Sequence, residues 1–245
     1  DFTWEITLNY TRNRSEVLEI ADGVEQIQVR TPGDPLFGSQ LAGFNGSLGN
    51  YAIKGQPYGV IQGEPFQRTD AGELILDGVG NPIPSGDLEI IGDPNPDFLA
   101  TWINTFSWKG LSVGFQWDYV HGGDLYSSTA QALIGRGNTV DTDVDRFLPL
   151  VLPGVKQSDG QTNDIQTYIG DSFFRAYFFA DEGGVFDATT IRLREVSLAY
   201  VLPKEIVDKT PFGRIALTLS GQNLWFNAPN FPEGLNFDPE VASTG

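Results

Sequence analysis

From Leu111 onward the chain alternates strictly: Leu111, Val113, Phe115, Trp117 and Tyr119 fall on one face of an extended segment, and Ser112, Gly114, Gln116 and Asp118 on the other. This is the period of two that a β-strand imposes on its side chains. Residues 2–10 repeat it, with Phe2, Trp4, Ile6, Leu8 and Tyr10 opposing Thr3, Glu5, Thr7 and Asn9. Strands of roughly 9 to 11 residues, apolar outside, polar inside and rich in Trp and Tyr, meet the demands of a bilayer-spanning β-barrel with a wet lumen. The alternative with the same patterning is a soluble, secreted β-sandwich that binds glycans, in which the apolar faces meet a second sheet.

Phe98 to Trp108 and Leu111 to Tyr119 flank the two-residue joint Lys109-Gly110, which predicts neighbouring antiparallel strands. Residues 188–202 return as a strand ending at Pro203. A short turn from Lys204 to Gly213 leads to a last strand, Arg214 to Trp225, with Ile215, Leu217 and Leu219 outward. Thr11 to Val29 is polar and mixed, and Thr31 to Gly55 is rich in glycine, so both read as connection. Gln56 to Phe66 reads as a further strand, confined to an edge or a strand end by Pro65. Asp70-Ala71-Gly72 and Asp77-Gly78 bracket a small hairpin-like excursion at Glu73 to Leu76.

Gly122 to about Asp187 is a polar connection of roughly 65 residues against a usual ~4 to 6, a length that goes with a functional loop or with disorder. Tight joints therefore follow Trp108 and Leu202, while long excursions follow Tyr119 and Trp225. Outer-membrane barrels have this asymmetry of short periplasmic turns and long extracellular loops. The expected fold class is all-β, part of a large antiparallel transmembrane β-barrel, with extracellular loops at about 122–187 and 226–245.

No segment shows sustained helical periodicity and no apolar run approaches ~18 residues, which excludes a transmembrane helix but not a barrel. The 32 acids against 15 Lys and Arg give a formal charge of −17, which repels nucleic acid and requires a membrane protein to hold its charge in loops and lumen. Without cysteine there is no disulfide and no thiolate chemistry. A chain without methionine that opens in mid-strand at Asp1-Phe2-Thr3-Trp4 reads as a processed product or a fragment, and the mid-sheet character of its first residues favours a fragment.

Five segments in order, Ile91-Gly92-Asp93-Pro94-Asn95-Pro96-Asp97-Phe98, Trp108-Lys109-Gly110-Leu111 with Gly122-Gly123-Asp124-Leu125-Tyr126, Ile191 to Pro203 (IRLREVSLAYVLP), Gly221-Gln222-Asn223-Leu224-Trp225 and Phe237-Asp238-Pro239-Glu240-Val241, resemble the late barrel region of the SusC/RagA family of TonB-dependent outer-membrane transporters. Residues 1–66 fit more loosely. The resemblance implies that residues 1–245 are a carboxy-terminal piece, roughly six strands of a barrel of about 22 strands, lacking the plug domain and the last strand. It implies energy-coupled import of a bulky nutrient, glycan or peptide, across the outer membrane of a Gram-negative, Bacteroidetes-like cell. The implied partners are the remainder of the barrel and its plug, a SusD-like surface lipoprotein acting as a lid, a TonB complex reached through the plug, and membrane lipid with lipopolysaccharide.

No constellation of residues points to an enzyme, a metal or a cofactor. Asp141, Asp143 and Asp145 alternate like hard oxygen ligands, but Arg146-Phe147-Leu148-Pro149 supplies neither the glycine nor the glutamate of a calcium loop, so they read as a solvated acidic loop. His121 is the single histidine, which leaves no source for a His-based triad or metal site. Asp181 and Glu182, or Asp238 and Glu240, are not glycosidase signals without a geometry, and Gly78-Val79-Gly80 lacks the strand-to-helix setting of a dinucleotide loop. The sequons at Asn9, Asn13 and Asn45 carry no weight in a bacterial envelope.

Trp108, Trp225 and Trp4 lie at or near strand ends, as an interfacial girdle requires; the alternative is ordinary core tryptophan. Among the loop aromatics Tyr168, Phe173, Phe174, Tyr177, Phe178 and Phe179, packing of the loop or of a partner is the first reading. Tyr168, Phe173, Phe174 and Tyr177 are the candidates for contact with substrate or lid. Arg192 and Arg194 share a face with Val196, Leu198 and Tyr200 if their strand is unbroken. That face would place Arg194 about 19 Å above Leu202, at ~3.3 Å per residue and ~45° tilt, inside an apolar band about 25 Å tall. A β-bulge between Leu193 and Val196 is therefore expected, turning both arginines into the lumen and Ile191 and Leu193 outward; the alternative is that they snorkel to lipid phosphate.

Overall fold

A computed structural model describes residues 2–30, 48–235 and 238–240. The alternating segments join into one antiparallel sheet of β1 (Phe2–Thr11), β7 (Phe98–Trp108), β8 (Leu111–His121), β12 (Thr190–Val201) and β13 (Ala216–Asn227), in the order β1-β7-β8-β12-β13. Directly opposed residues share a face, so the register decides what each face carries. Leu8, Trp102, Trp117, Leu193 and Trp225 form one transverse row, and Trp4, Phe106, Val113, Leu198 and Leu219 another. The charged residues of these strands, Glu5, Asp118, Arg192, Arg194 and Glu195, are absent from those rows; on the opposite face Arg192 stands across from Asp118 and Glu195 across from Gln116. Asn104 interrupts the apolar face between Ile6 and Phe115. It is 1% exposed and accepts a hydrogen bond from Trp4 Nε1 at 3.0 Å, with Trp4 stacked on Phe106.

The joint between β7 and β8 is the tight one expected. Lys109 and Gly110 have φ of 46° and 85°, the paired positive values of a type I′ turn that matches the twist of the flanking strands. Gly110 has a second reason to lack a side chain, since a Cβ there would stand 2.8 Å from the Val201 carbonyl oxygen. At the same edge of the sheet, β12 and β13 are joined through the single helical turn Lys204–Val207.

Everything else rises from the opposite edge, where Thr11 opposes Leu99 and Phe98 opposes His121. There, β2 (Gln26–Arg30), β3 (Gly49–Ile53), β4 (Val60–Gly63) and β6 (Glu89–Gly92) form a separate four-stranded sheet, β2-β3-β4-β6. Two small pairs, β5 (Ile75–Leu76) with β10 (Val155–Lys156) and β9 (Asp124–Tyr126) with β11 (Val185–Asp187), complete the strands. Helices α1 (Ser128–Gly135) and α2 (Asp171–Phe179) lie against each other. A Cβ at Gly135 would come within 2.7 Å of the Phe178 Cβ, which shows how closely they approach.

Four segments depart from the pattern-based expectation, beginning with β2 and β3, which form strands of the second sheet where only connection was expected at 11–29 and 31–55. The strand anticipated over Gln56 to Phe66 is only four residues long and lies in the second sheet, so the wall has five long strands rather than about six. Val60, Ile61, Gln62 and Gly63 are all buried, and a strand covered on both faces shows no alternation to read. The long connection after Tyr119 is built rather than bare: it contains α1 and α2, each too short to be stable alone and held by packing. The glycine-rich stretch at 31–47 with the Asn45 sequon, Phe237, and 241–245 lie outside the described residues.

Candidate functional site in the wall and cap

The bulge expected in β12 is present. Register shifts between Leu193 and Glu195 against both β8 and β13, so Arg194 is the extra residue and Leu193 joins the outer row beside Trp117 and Trp225. On β13 the compensating irregularity contains Asn223, whose φ of 51° is one that asparagine tolerates better than most residues. Its side chain accepts from Arg194 Nη1 at 2.9 Å.

Both guanidinium groups therefore point inward, where they meet acids from two places in the chain. Arg194 donates through Nε to Asp118 at 2.7 Å and through Nη2 to Glu240 at 2.7 Å. Arg192, only 5% exposed, binds Asp238 and Glu240 and lies over the Phe226 ring, 5.2 Å from its centroid. Gln116 supports Asp118 from the same strand at 2.9 Å. Planar forks meeting carboxylates in this way form the stronger class of ion pair. The segment after β13 is thus tied back onto the inner wall. It is tied at the rim as well, where Asn230 donates to Asp187 at 2.7 Å and Phe231 packs on Phe186 beside Leu125 and Ala130. The Arg194 guanidinium holds the Glu240 carboxyl below its ordinary range, against the opposing effect of burial.

Beside this network is a cleft of about 370 Å³ lined by Leu99, Thr101, Asp118, Val120, Arg192, Arg194 and Glu240, with Leu125 and Ala188 at its upper end. Asp124 also lines it, its carboxyl pKa raised by burial and by the charges of Asp187 and Asp93. The cleft combines apolar lining residues with the paired charge of Asp118, Arg194 and Glu240.

The connection after β8 and the one between β1 and β7 lock together above the wall. Asp181, 4% exposed, accepts from the Glu64 amide at 2.9 Å; Glu182 accepts from the Phe66 amide at 2.9 Å and forms a fork with Arg68 at 2.7 Å on both arms. The acid pairs discounted as glycosidase signals thus serve as clamps. Nothing in the sequence pointed to their partners, which for Asp181 and Glu182 lie more than a hundred positions away and for Asp238 and Glu240 lie 46 positions away.

Of the candidate contact residues, Tyr168 is 51% exposed and Phe173 half-buried against Phe174. Phe174 is buried with Arg146 over its ring at 4.6 Å, and Tyr177 donates its hydroxyl to the Gly183 carbonyl at 2.7 Å. The four do not converge on one point. Among the described residues no group of three or more acids or histidines is arranged to hold a metal ion; Asp145 is used locally, accepting from the Phe147 amide at 2.9 Å.

An antiparallel wall with an uncharged outer face, its charge confined to the inner face and both long excursions on one edge defines a segment of a transmembrane β-barrel. Comparison with known proteins makes this specific. The chain is 27% identical over 254 residues to TonB-dependent receptor P3 of Formosa agariphila, across 98% of this chain and 23% of the receptor. It is likewise 27% identical over 262 residues to TonB-dependent receptor P26 of the same organism, across 97% and 24%. The chain spans about a quarter of the length of these curated relatives. Among solved structures, its fold matches the RagAB peptide transporter with a TM-score of 0.59 at 18% identity, over 98% of this chain and 24% of that one. It also matches the RagAB peptide importer in its closed-closed state, with a TM-score of 0.58 at 17% identity. No family model matches. The likeness to a barrel segment of SusC/RagA-type TonB-dependent receptors is therefore carried by sequence and fold together, and these relatives are receptors and importers, not enzymes.

Proposed function

We propose that this chain is late barrel wall and extracellular cap of an outer-membrane transporter that imports a bulky nutrient, glycan or peptide, with TonB-coupled energy and a SusD-like surface lipoprotein as lid. The observation that carries the reading is the wall itself: its outer face has no charged residue over five strands, as lipid contact demands, while residues 122–187 and the segment after β13 rise on one edge. A soluble sandwich would cover that apolar face with a second sheet; the second sheet here, β2-β3-β4-β6, belongs to the cap instead. Lumen-side arginines tie the segment after β13 inward, which leaves the rim of residues 122–187 as the part that meets lid or cargo. Of the four candidates, Tyr168 and Phe173 are the contacts favoured by exposure, while Phe174 is buried and Tyr177 is held by the Gly183 carbonyl.

The test is genetic and biochemical. A strain lacking the full receptor should lose growth on one polymeric nutrient class, glycan or peptide, and inactivation of TonB should reproduce the loss. A surface lipoprotein should co-purify with the detergent-solubilised receptor. Growth unaffected on every glycan and peptide mixture, or a TonB-independent phenotype, would overturn the proposal.

A further inference from the structure

Between α1, α2 and the loop that carries Arg146 is an open cleft of about 540 Å³ lined by Arg136, Arg146, Arg175, Phe174, Phe178 and Phe179, with Gly135 and Asp171. Three arginines line it in a chain of formal charge −17. Arg136 lies over the Phe178 ring at 6.0 Å and Arg146 over Phe174 at 4.6 Å. Among the described residues neither pairs with a carboxylate; Arg146 donates instead to the carbonyls of Thr142 and Ile169. Among those same residues Asp171 is the only acid in the lining, and it binds Arg175 at 3.1 Å, with both side chains largely exposed. The acids at 141, 143 and 145 do not line the cleft.

We propose that this cleft binds a carboxylate carried on a body with a flat apolar face. Guanidinium forks match the planar geometry of a carboxylate, and rings such as Phe178 and Phe179 offer a surface for a sugar ring or an apolar peptide side chain. Asp171 already meets Arg175 Nε as an internal carboxylate, and this exposed, helix-local pair is of the weakly held kind that a ligand displaces. Two sources share this chemistry, the uronate of an acidic glycan and the terminal or side-chain carboxylate of a peptide. The inference rests on the transporter reading and narrows its cargo to acidic material.

The experiment titrates the full receptor in detergent by calorimetry with two probes, a uronate disaccharide and a short acidic peptide, each against its neutral methyl-ester analogue. Saturable binding of at least one carboxylate probe is expected, at least tenfold tighter than its ester and weakened by added salt. Arg136→Gln and Arg175→Gln, which remove charge without touching the carbonyl contacts of Arg146, should each weaken it about tenfold. Asp171→Asn removes the internal competitor and should tighten it severalfold. The probe that binds identifies the source. No saturable binding, equal binding of acid and ester, or insensitivity to all three substitutions overturns the inference. If the receptor still inserts and imports in those cases, the transporter reading survives; if it fails to insert, that reading fails with it.

Discussion

Replacing Arg194 with Met removes the guanidinium but keeps a long side chain in the bulge, so the cost is set by the polar contacts alone. Lost are those to Asp118 at 2.7 Å, to Glu240 at 2.7 and 3.1 Å and to Asn223 at 2.9 Å. Hydrogen bonds to charged partners contribute about 1.5–3 kcal/mol each when buried. The side chains here are 30%, 20% and 41% exposed for Arg194, Asp118 and Glu240, so solvent screening reduces the total to about 2–3 kcal/mol rather than their sum. Arg192 retains its own hold on Asp238 and Glu240, so the segment should loosen without the wall unfolding.

The assay is hydrogen exchange on the membrane-inserted receptor. The Glu240 amide, which donates to Asp238 at 3.0 Å, should lose roughly 30- to 150-fold of protection, at 1.36 kcal/mol per tenfold. Arg194→Lys, which restores charge without the fork, should recover part of it. The pH dependence has a fixed sign. Because the folded carboxyl of Glu240 is depressed, its contribution is complete above the unfolded value of 4.5 and is lost as pH falls through the lower, folded value. Acidification from neutrality to that unfolded value should therefore leave the segment attached. Unchanged exchange at Glu240 in Arg194→Met, or release well above that value, would refute the latch.

Phe115→Arg places a cation in the third of five outer rows, near the middle of the apolar band, at a cost of about 2–4 kcal/mol, whereas Gln116→Arg adds one to the lumen face and should be mild. Equal heat-modifiability of the two variants would defeat the assignment of faces. A protease site inserted near Gly160 should be cut on intact cells and one at Lys109 should not; the reverse would invert the topology. Glu182→Gln weakens the fork to Arg68, whose side chains are 37% and 28% exposed, and should cost about 1 kcal/mol. That loss should appear as faster exchange at the Phe66 amide, with the wall strands unchanged.

The wall was legible because its two faces differ in solvent. A strand between lipid and water must alternate, and β1 and β8 do so at nearly every position, β7 with Asn104 as the exception on its outer face. Even the fault in β12 was legible, since two arginines on an apolar face are so costly that an inserted residue is the cheaper solution. The cap was not legible for the converse reason. β4 is buried on both faces, and α2 carries phenylalanines around most of its circumference, so neither has a period to detect. Tyr168, Phe173, Phe174 and Tyr177 could be singled out by residue type. Their separation into exposed and packed members depends on Arg146 and Gly183, which no local pattern ties to them.

The acids are where sequence reasoning stopped earliest, and the fold explains why. Asp181, Glu182, Asp238 and Glu240 stand in adjacent or alternate pairs that locally resemble solvated loop charge. Their partners are Glu64, Phe66, Arg68, Arg192 and Arg194, from 46 to 117 positions away. Charge barred from the lipid face has to go inward or to the rim, and a partly buried charge persists there only with a partner. The exclusion that makes the outer face readable therefore also forces long-range ion pairs on the inner one. In a wall of this kind the clean alternation of a strand such as β8 predicts that its inward charge, Asp118, will be met by a base from another strand.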